Sequence, residues 1–486
     1  MRVLKFGGSS VADTGAITRL VSIVDGRKGA RTVVVSALGG VTDGLLAVAE
    51  LAGDDAPSAL AALQAITARH RTVAADVRTP ATRRLLDAAV DGLARGAVQA
   101  VNAIAAAGQA SPALVDRLVA NGELWSSRIV AAFLADAGLP TQWIDARQVV
   151  RTDGRHGGAT PDATATEEAL TRLVRPALAM DRVVVLGGFI GSAPDGATTT
   201  LGRGGSDYSA ALVGACLDAS EIEIWTDVDG VLSADPRVVA GARVLPMLSY
   251  EDAETLARFG AKVLHPKTME PAAARSIPVC VRNSRRPGEP GTRIDALGAE
   301  DGTHAAVASR DGLSLVQMTP RGRGGEGAFA VRALQSLTDA NVTIVLGEIH
   351  GDRLLVAVDR AFDLDAFRAR VGGFAEVRMR DGLAAVCAVG DRLATDRGLV
   401  TGALRVLADR PVHLVSRPGG SASFAVLVDG GDAHTLVARL HDWFSAGVRP
   451  RDDSGEAAEG HAGVVPASKS FMGGLRTAPT GEEAVR

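Results

Sequence analysis

The sequence predicts an α/β protein: a three-layer αβα domain on a mostly parallel sheet, followed by two smaller ferredoxin-like (βαββαβ) units. Three observations carry this. Short, continuous apolar runs alternate with segments of helical spacing through residues 1–295. The runs end in turns rich in glycine or aspartate, which is where open α/β sheets bind ligands. From Gly312 the order strand, helix, strand, strand, helix occurs twice. Uninterrupted apolar runs mark strands covered on both faces, whereas one solvated face would impose alternation.

Residues 2–6 form the first strand and pass at once into Gly7-Gly8-Ser9-Ser10 and a helix over 14–24. The run 32–36 is a second strand, again followed by a Gly-rich turn and a helix from Asp43. Residues 55–120 have helical spacing and no strand signal. Gly122-Glu123 opens a helix over 124–137, and 141–145 is a strand. The run 182–186 ends in Gly187-Gly188-Phe189, the run 221–225 ends in Thr226-Asp227, and 278–282 is a further strand. The polar stretch 284–292, rich in Pro and Gly, reads as an exposed loop. These signals divide the chain into a first domain 1–295, a linker 296–312, units at 313–375 and 376–448, and a flexible tail 449–486.

At 486 residues the chain exceeds one ordinary core. Its net charge of −4 argues against a nucleic-acid partner, which would select a basic surface. No run of eighteen apolar residues occurs, and no apolar segment of signal-peptide length opens the chain, so a cytoplasmic protein without a membrane partner is expected. Cys216, Cys280 and Cys387 each lie in apolar runs and read as buried thiols of a reducing compartment. Five lysines stand against 47 arginines, so a lysine inside a motif is singled out for its compact point charge.

Five motifs carry candidate chemistry. In Lys5-Phe6-Gly7-Gly8-Ser9-Ser10 a strand ends and glycines turn the backbone so that successive N–H groups can cradle a phosphate, with Lys5 able to bridge a transferring phosphoryl group. Alone, it reads equally as an ordinary strand–helix turn. Gly202-Arg203-Gly204-Gly205-Ser206-Asp207 is a second glycine loop at a helix start. There Arg203 suits a carboxylate, and Asp207 can orient Lys5 or serve as the helix N-cap. Thr226-Asp227, continuing to Asp235-Pro236-Arg237, suits adenine or ribose, although a plain turn fits the same residues. Lys262 in Phe259-Gly260-Ala261-Lys262 can reach ATP phosphates; a solvated lysine is the alternative, and His265 is read as structural. Ser36, Thr42 and Glu123 together offer the donors and the carboxylate that recognise an amino acid, although Glu123 also fits a first-turn residue favoured by the helix dipole. No P-loop sequence and no protein-kinase signature pair occurs.

Together these motifs resemble the aspartokinases of the amino-acid-kinase fold. The matching segments KFGGSSVAD, VVVSALGGVTD, NGELWSSRI, GGFIGS, TLGRGGSDYSA, EIWTDVDGV, DPR and FGAKVLHP follow the family's order over residues 1–295. The two smaller units look like that family's tandem ACT domains. The resemblance implies transfer of the γ-phosphate of ATP to the side-chain carboxylate of aspartate. That reaction opens the aspartate-family pathway to lysine, threonine and methionine, or a branch such as ectoine.

The resemblance also implies roles for individual residues. Lys5 and Asp207 are catalytic, and Gly7, Gly8 and Ser9 hold phosphate. Thr42, Glu123, Arg203, Gly204, Gly205 and Ser206 hold aspartate, with Ser36 beside them. Thr226, Asp227, Leu232, Arg237, Lys262 and Val263 hold ATP, with Mg²⁺ carried by its phosphates. A homodimer formed through the ACT domains and an amino-acid effector are further implications. The catalytic segment is close to that of the bifunctional aspartokinase–homoserine dehydrogenases, but the chain is too short for the dehydrogenase, so a monofunctional enzyme is expected.

Two positions depart from the family pattern. Leu232 stands where a tyrosine is common. Val345 stands where lysine-inhibited relatives carry an acidic residue, so inhibition by lysine is expected to be weak or absent. Two rivals stay open: another amino-acid kinase, such as glutamate 5-kinase or acetylglutamate kinase, and a non-catalytic amino-acid sensor on a kinase scaffold. Against the first stands the GRGGSDYSA and FGAKVLHP combination; against the second, the presence of Lys5, Arg203, Asp207 and Lys262.

Overall fold

A computed structural model describes residues 1–261, 266–298, 305–322, 326–359, 363–390, 393, 397–417 and 423–447. Lys262, Val263, His265 and the tail 449–486 lie outside the described residues.

The first sheet is built from β1 (Arg2–Phe6), β2 (Arg31–Val35), β3 (Thr141–Trp143), β4 (Val183–Gly187), β7 (Glu221–Thr226), β8 (Met247–Ser249), β9 (Val279–Asn283) and β10 (Thr292–Asp295). A hairpin of β5 (Ile190–Ser192) and β6 (Thr198–Thr200) stands apart from it. The strand order is β3-β4-β2-β1-β7-β9-β10-β8, parallel throughout except where β10 runs antiparallel to β9.

The pleat sorts alternate residues to two cores. Leu4, Phe6, Val33, Val35, Val183 and Val185 face one way, against the helices Thr14–Asp25, Val41–Ala52, Ala56–Ala74, Pro80–Ala107 and Asn121–Asp136. Val3, Val34, Val184, Leu186, Ile222 and Ile224 face the other way, against the helices Ala163–Leu173, Gly205–Cys216 and Tyr250–Arg258. Strands buried on both sides need apolar residues at every position, which is why their sequences read as unbroken runs. The stretch 55–120 folds into three helices. Asp55 caps the first, Pro80 opens the second, and Gly108 in the left-handed conformation stops it.

The second sheet holds β11 (Ala306–Pro320), β12 (Ile344–His350), β13 (Arg353–Asp359), β14 (Ala375–Val389), β15 (Val412–Ser416) and β16 (Ser423–Asp429). Its order is β12-β13-β11-β14-β16-β15, with every pair antiparallel. The two ferredoxin-like units share its long strands. The second half of β11 and the first half of β14 pair with each other beside β13. The first half of β11 pairs with the second half of β14, beside β16.

The strand β11 therefore begins at Ala306, inside the stretch expected as linker. Residues 306–310 serve the second unit although they precede the first. Both long strands change partner at an Asp-Gly step, where Gly312 and Gly382 have positive φ of 73° and 76°. Glycine adopts that conformation without steric cost. The helices Glu326–Asp339 and Leu364–Val371 cover the first unit, and Arg397–Val406 and Ala433–Gly447 cover the second.

The loop after β7 joins the two sheets. Ala234 and Val239 are buried with Val307, Ala384, Leu436 and Leu440 of the second unit. Ser233 Oγ lies 2.9 Å from His441 Nε2. All three cysteines are buried and unpaired. Among the described residues, no helix is long and apolar enough to cross a membrane.

Candidate active site

Lys5 stands one residue before the end of β1, in the middle of the sheet. It shares a face with Val3, so it points toward the helix Gly205–Cys216 rather than into the opposite core. Asp207 sits in the first turn of that helix. Its Oδ1 lies 2.5 Å from Lys5 Nζ, with side-chain exposures of only 17% and 10%. The helix N-cap is Gly204, at φ 73°, so Asp207 is not the cap. It faces Lys5, and no aligned hydrogen-bond donor meets its Oδ1. A buried ammonium thus waits at a strand end with one carboxylate as its counter-ion.

The first glycine loop wraps this ammonium. Gly7 donates to the Trp225 carbonyl at 3.0 Å and Ser10 N–H returns to Gly7 O at 2.9 Å, closing a short 3₁₀ turn over Gly8–Ser10. A side chain at Gly8 would meet Ala37 O at 3.1 Å and Gly39 Cα at 3.3 Å. The loops 7–10 and 37–40 are in direct contact, and Gly39 N–H donates to Gly8 O at 3.0 Å. The α-helix itself starts later than the glycines, at Thr14, capped by Asp13.

Glu123 enters from the helix Asn121–Asp136, which packs on β4. A Cβ at Gly187 would stand 3.1 Å from Glu123 Cβ. Its carboxylate is buried. Oε1 accepts from Ala37 N–H at 3.1 Å, while Oε2 has no partner. Burial pushes the carboxyl up to about 8; the Ala37 N–H and the Lys5 charge pull the other way. Ser126 Oγ donates to the Ser36 carbonyl at 2.8 Å and fixes that segment beside Glu123. Thr42, half-buried, lies in the first turn of the adjoining helix.

The second glycine loop leaves β6 with Gly202 and Gly204 both at positive φ. Arg203 between them is exposed and has no partner among the described residues. Gly188 lies so close to Ser206 that a Cβ would fall 2.7 Å from Ser206 Cβ, and a Cβ at Gly205 would fall 2.7 Å from the Phe189 ring. Phe189 adopts φ 65°, a costly conformation for a bulky residue. Ser209 Oγ receives its N–H at 2.9 Å, and its carbonyl accepts from Leu201 N at 2.8 Å. Sequence reasoning passed over Phe189; its signal was the pair of glycines before it at a strand end.

On the next strand of the sheet, Thr226 ends β7 and its hydroxyl donates to Asp227 at 3.2 Å. Ser284, also passed over, ties this edge to the first glycine loop: its N–H bonds Thr226 O at 2.8 Å, and its Oγ accepts from Ser10 Oγ at 2.8 Å. Asn283 Nδ2 holds Asp229 at 2.7 Å. Leu232 bridges to Val244. Arg237 is exposed and forked onto Asp235, with Nη2 2.5 Å from Oδ2. Lys5, Asp207, Glu123 and both glycine loops are therefore brought together, Thr226 and Asp227 adjoin them across β7, and Arg237 stands paired elsewhere on its loop.

Comparison with known proteins identifies the family. The Amino acid kinase family profile matches residues 1–283. Lysine-sensitive aspartokinase 3 of Escherichia coli is 33% identical over 448 residues, covering 90% of this chain and 98% of that one. The chloroplastic bifunctional aspartokinase/homoserine dehydrogenase 1 of Arabidopsis thaliana is 31% identical over 465 residues, and the chain spans about half of its length. The crystal structure of E. coli aspartokinase III with aspartate and ADP superposes with a TM-score of 0.82 at 32% identity, covering 91% of this chain and 99% of that one. The chain belongs to the amino acid kinase family and, within it, to the aspartokinases.

Proposed function

We propose that this chain transfers the γ-phosphate of ATP to the side-chain carboxylate of L-aspartate, giving ADP and 4-phospho-L-aspartate. The observation that carries the proposal is the buried Lys5–Asp207 pair at the sheet's carboxyl edge, flanked by two glycine loops and by the open oxygen of Glu123. Gly7, Gly8 and Ser9 cradle the phosphates. Lys5 takes up charge on the transferring group, and Asp207 holds the Lys5 ammonium in place. Glu123 receives the substrate's α-ammonium group. Arg203 clamps a carboxylate from the loop Gly204-Gly205-Ser206, with Ser36 and Thr42 alongside. Thr226, Asp227, Leu232, Arg237, Lys262 and Val263 serve ATP.

An aspartate side chain is ionised at neutral pH, so no general base is needed. Catalysis then rests on in-line positioning and charge neutralisation. Among the described residues no group of three or more His, Cys, Asp or Glu side chains is arranged to hold a metal ion, and the Asp207 carboxylate is already paired with Lys5, so a hard cation would be carried by the phosphates of the nucleotide. Mg²⁺ bound there would draw charge from the β- and γ-phosphoryl oxygens. ADP release coupled to NADH oxidation should respond to aspartate and not to glutamate or acetylglutamate. Turnover with either of the others, or with none, would replace this proposal with one of its rivals.

The first ACT unit supports a regulatory proposal. Val345 lies on β12 at 5% exposure, packed with Leu346, Ala357, Leu414 and Leu427. An ammonium group brought there would lose its hydration without meeting a counter-charge. The E. coli relative is lysine-sensitive by name. For this chain, millimolar lysine is expected to leave initial rates essentially unchanged, and steep inhibition in a lysine titration would refute that. The edge strands β12 and β15 offer unpaired backbone groups, which supports a homodimer formed through the ACT units. Sedimentation is expected to return about twice the 49.8-kDa chain mass; a monomer would contradict it. The buried, unpaired cysteines suit a cytoplasmic setting.

A further inference from the structure

Asp116 is a carboxylate with 2% side-chain exposure, and no part of the chemistry above uses it. It projects from the helix Pro112–Val119, which runs through Ala120 into the helix that carries Glu123. Donors converge on it from two other segments. His156 Nδ1 lies 2.8 Å from Oδ2, and Gly157 N–H reaches Oδ2 and Oδ1 at 3.1 and 3.2 Å. Thr200 gives its hydroxyl to Oδ1 at 2.6 Å and its N–H to Oδ2 at 3.3 Å.

Those two segments form the base of the Arg203 loop. Thr200 ends β6, two residues before Gly202. Ala159 N–H clips onto Thr200 O at 2.8 Å. A Cβ at Gly202 would stand 3.3 Å from Gly157 O and 3.5 Å from Gly158 Cα, so the 157–158 backbone lies directly against the loop.

We propose that Asp116 is a positioning residue that fixes the separation between Arg203 and Glu123, and so matches the pocket to the length of its amino-acid substrate. The inference rests on the roles proposed for those two residues. A buried, fully hydrogen-bonded carboxylate is rigid because losing any donor leaves charge unsatisfied. One such group joined to the helix run bearing Glu123 and to the strand that leads into the Arg203 loop makes their spacing a property of the fold. Arg203 itself has no partner among the described residues to hold it, so its placement depends on its loop.

The test is steady-state kinetics on full-length Asp116→Ala, Asp116→Asn and Thr200→Val, with Arg203→Ala as a control. Asp116→Ala is expected to raise KM for aspartate at least tenfold, to leave KM for ATP within twofold, and to narrow the preference for aspartate over glutamate. Thr200→Val keeps the shape and removes the 2.6 Å donor, so it should show the same split at several-fold even if Asp116→Ala fails to fold. Asp116→Asn keeps an acceptor for Thr200 and should recover part of the loss. A fall in melting temperature with both KM values unchanged, or a parallel rise in both, would overturn the positioning role. If Arg203→Ala also leaves KM for aspartate unchanged, the assignment of Arg203 fails first; if only the Asp116 and Thr200 variants are silent, this inference fails alone.

Discussion

Lys5→Ala is expected to lower kcat by about 100- to 1,000-fold, the usual effect of removing one preorganised charge donor from a developing anion. Lys5 is already desolvated and already ion-paired, so it need not reorganise when charge moves onto the γ-phosphoryl group. Gly7 leaves room beside it: a Cβ there would lie 3.6 Å from Nζ, at ordinary contact distance. Lys5→Arg is expected to rescue little, because a planar fork does not replace a compact point charge in a space fitted to an ammonium group.

Aspartate affinity, read by calorimetry at a pH where Glu123 is ionised, should survive Lys5→Ala, since the residues proposed to hold aspartate lie on other elements. Near-normal turnover would overturn the role of Lys5. A secondary effect follows from the site's electrostatics. Lys5 lowers the Glu123 carboxyl against the effect of burial, so removing Lys5 should move any Glu123-linked pH dependence of aspartate binding upward.

The parts of this site that were legible in the sequence are those that local chemistry dictates. Glycine pairs at the ends of apolar runs announce a backbone that must turn tightly, and five lysines in an arginine-rich chain make Lys5 conspicuous. Strand parity puts Lys5 on the same side of the sheet as Val3, but which core that side meets is set by the tertiary fold. The hidden parts are long-range. Asp116 reads as one more polar residue on a surface helix, and only the tertiary fold delivers Thr200, 84 positions away, to its carboxylate. Ser284 likewise joins Ser10 across 274 positions because β9 and β1 both flank β7. In the second sheet, periodicity located both units but missed that residues 306–310 complete the later one. Strand propensity is local, whereas the partner of a strand is set by topology, and an Asp-Gly step marks a bend without saying which strand lies beyond it.

Glu123 should make aspartate binding depend on pH in a range where an ordinary carboxylate would already be fully charged. In the empty site its carboxyl is raised from the usual 4.5 to about 8, first by burial. At neutral pH it is therefore mostly protonated, and binding an ammonium group at the unpartnered Oε2 requires the charged form. Each unit of pH below about 8 then costs about tenfold in apparent affinity. KM for aspartate is expected to fall as pH rises from about 7 and to level off above about 8, with a proton released on binding.

The stability linkage has the matching sign. The folded, empty protein holds a proton that the unfolded chain gives up above 4.5, so this group's contribution is full below 4.5 and is lost as pH rises through about 8. Glu123→Gln removes both effects. It should raise KM for aspartate by about 100-fold, as for a buried charge pair that loses one partner, flatten the pH profile, and leave the empty enzyme more stable than the parent at alkaline pH. A KM for aspartate that does not change across this range in the parent, or a variant with an unchanged KM, would mean that the ammonium group binds elsewhere.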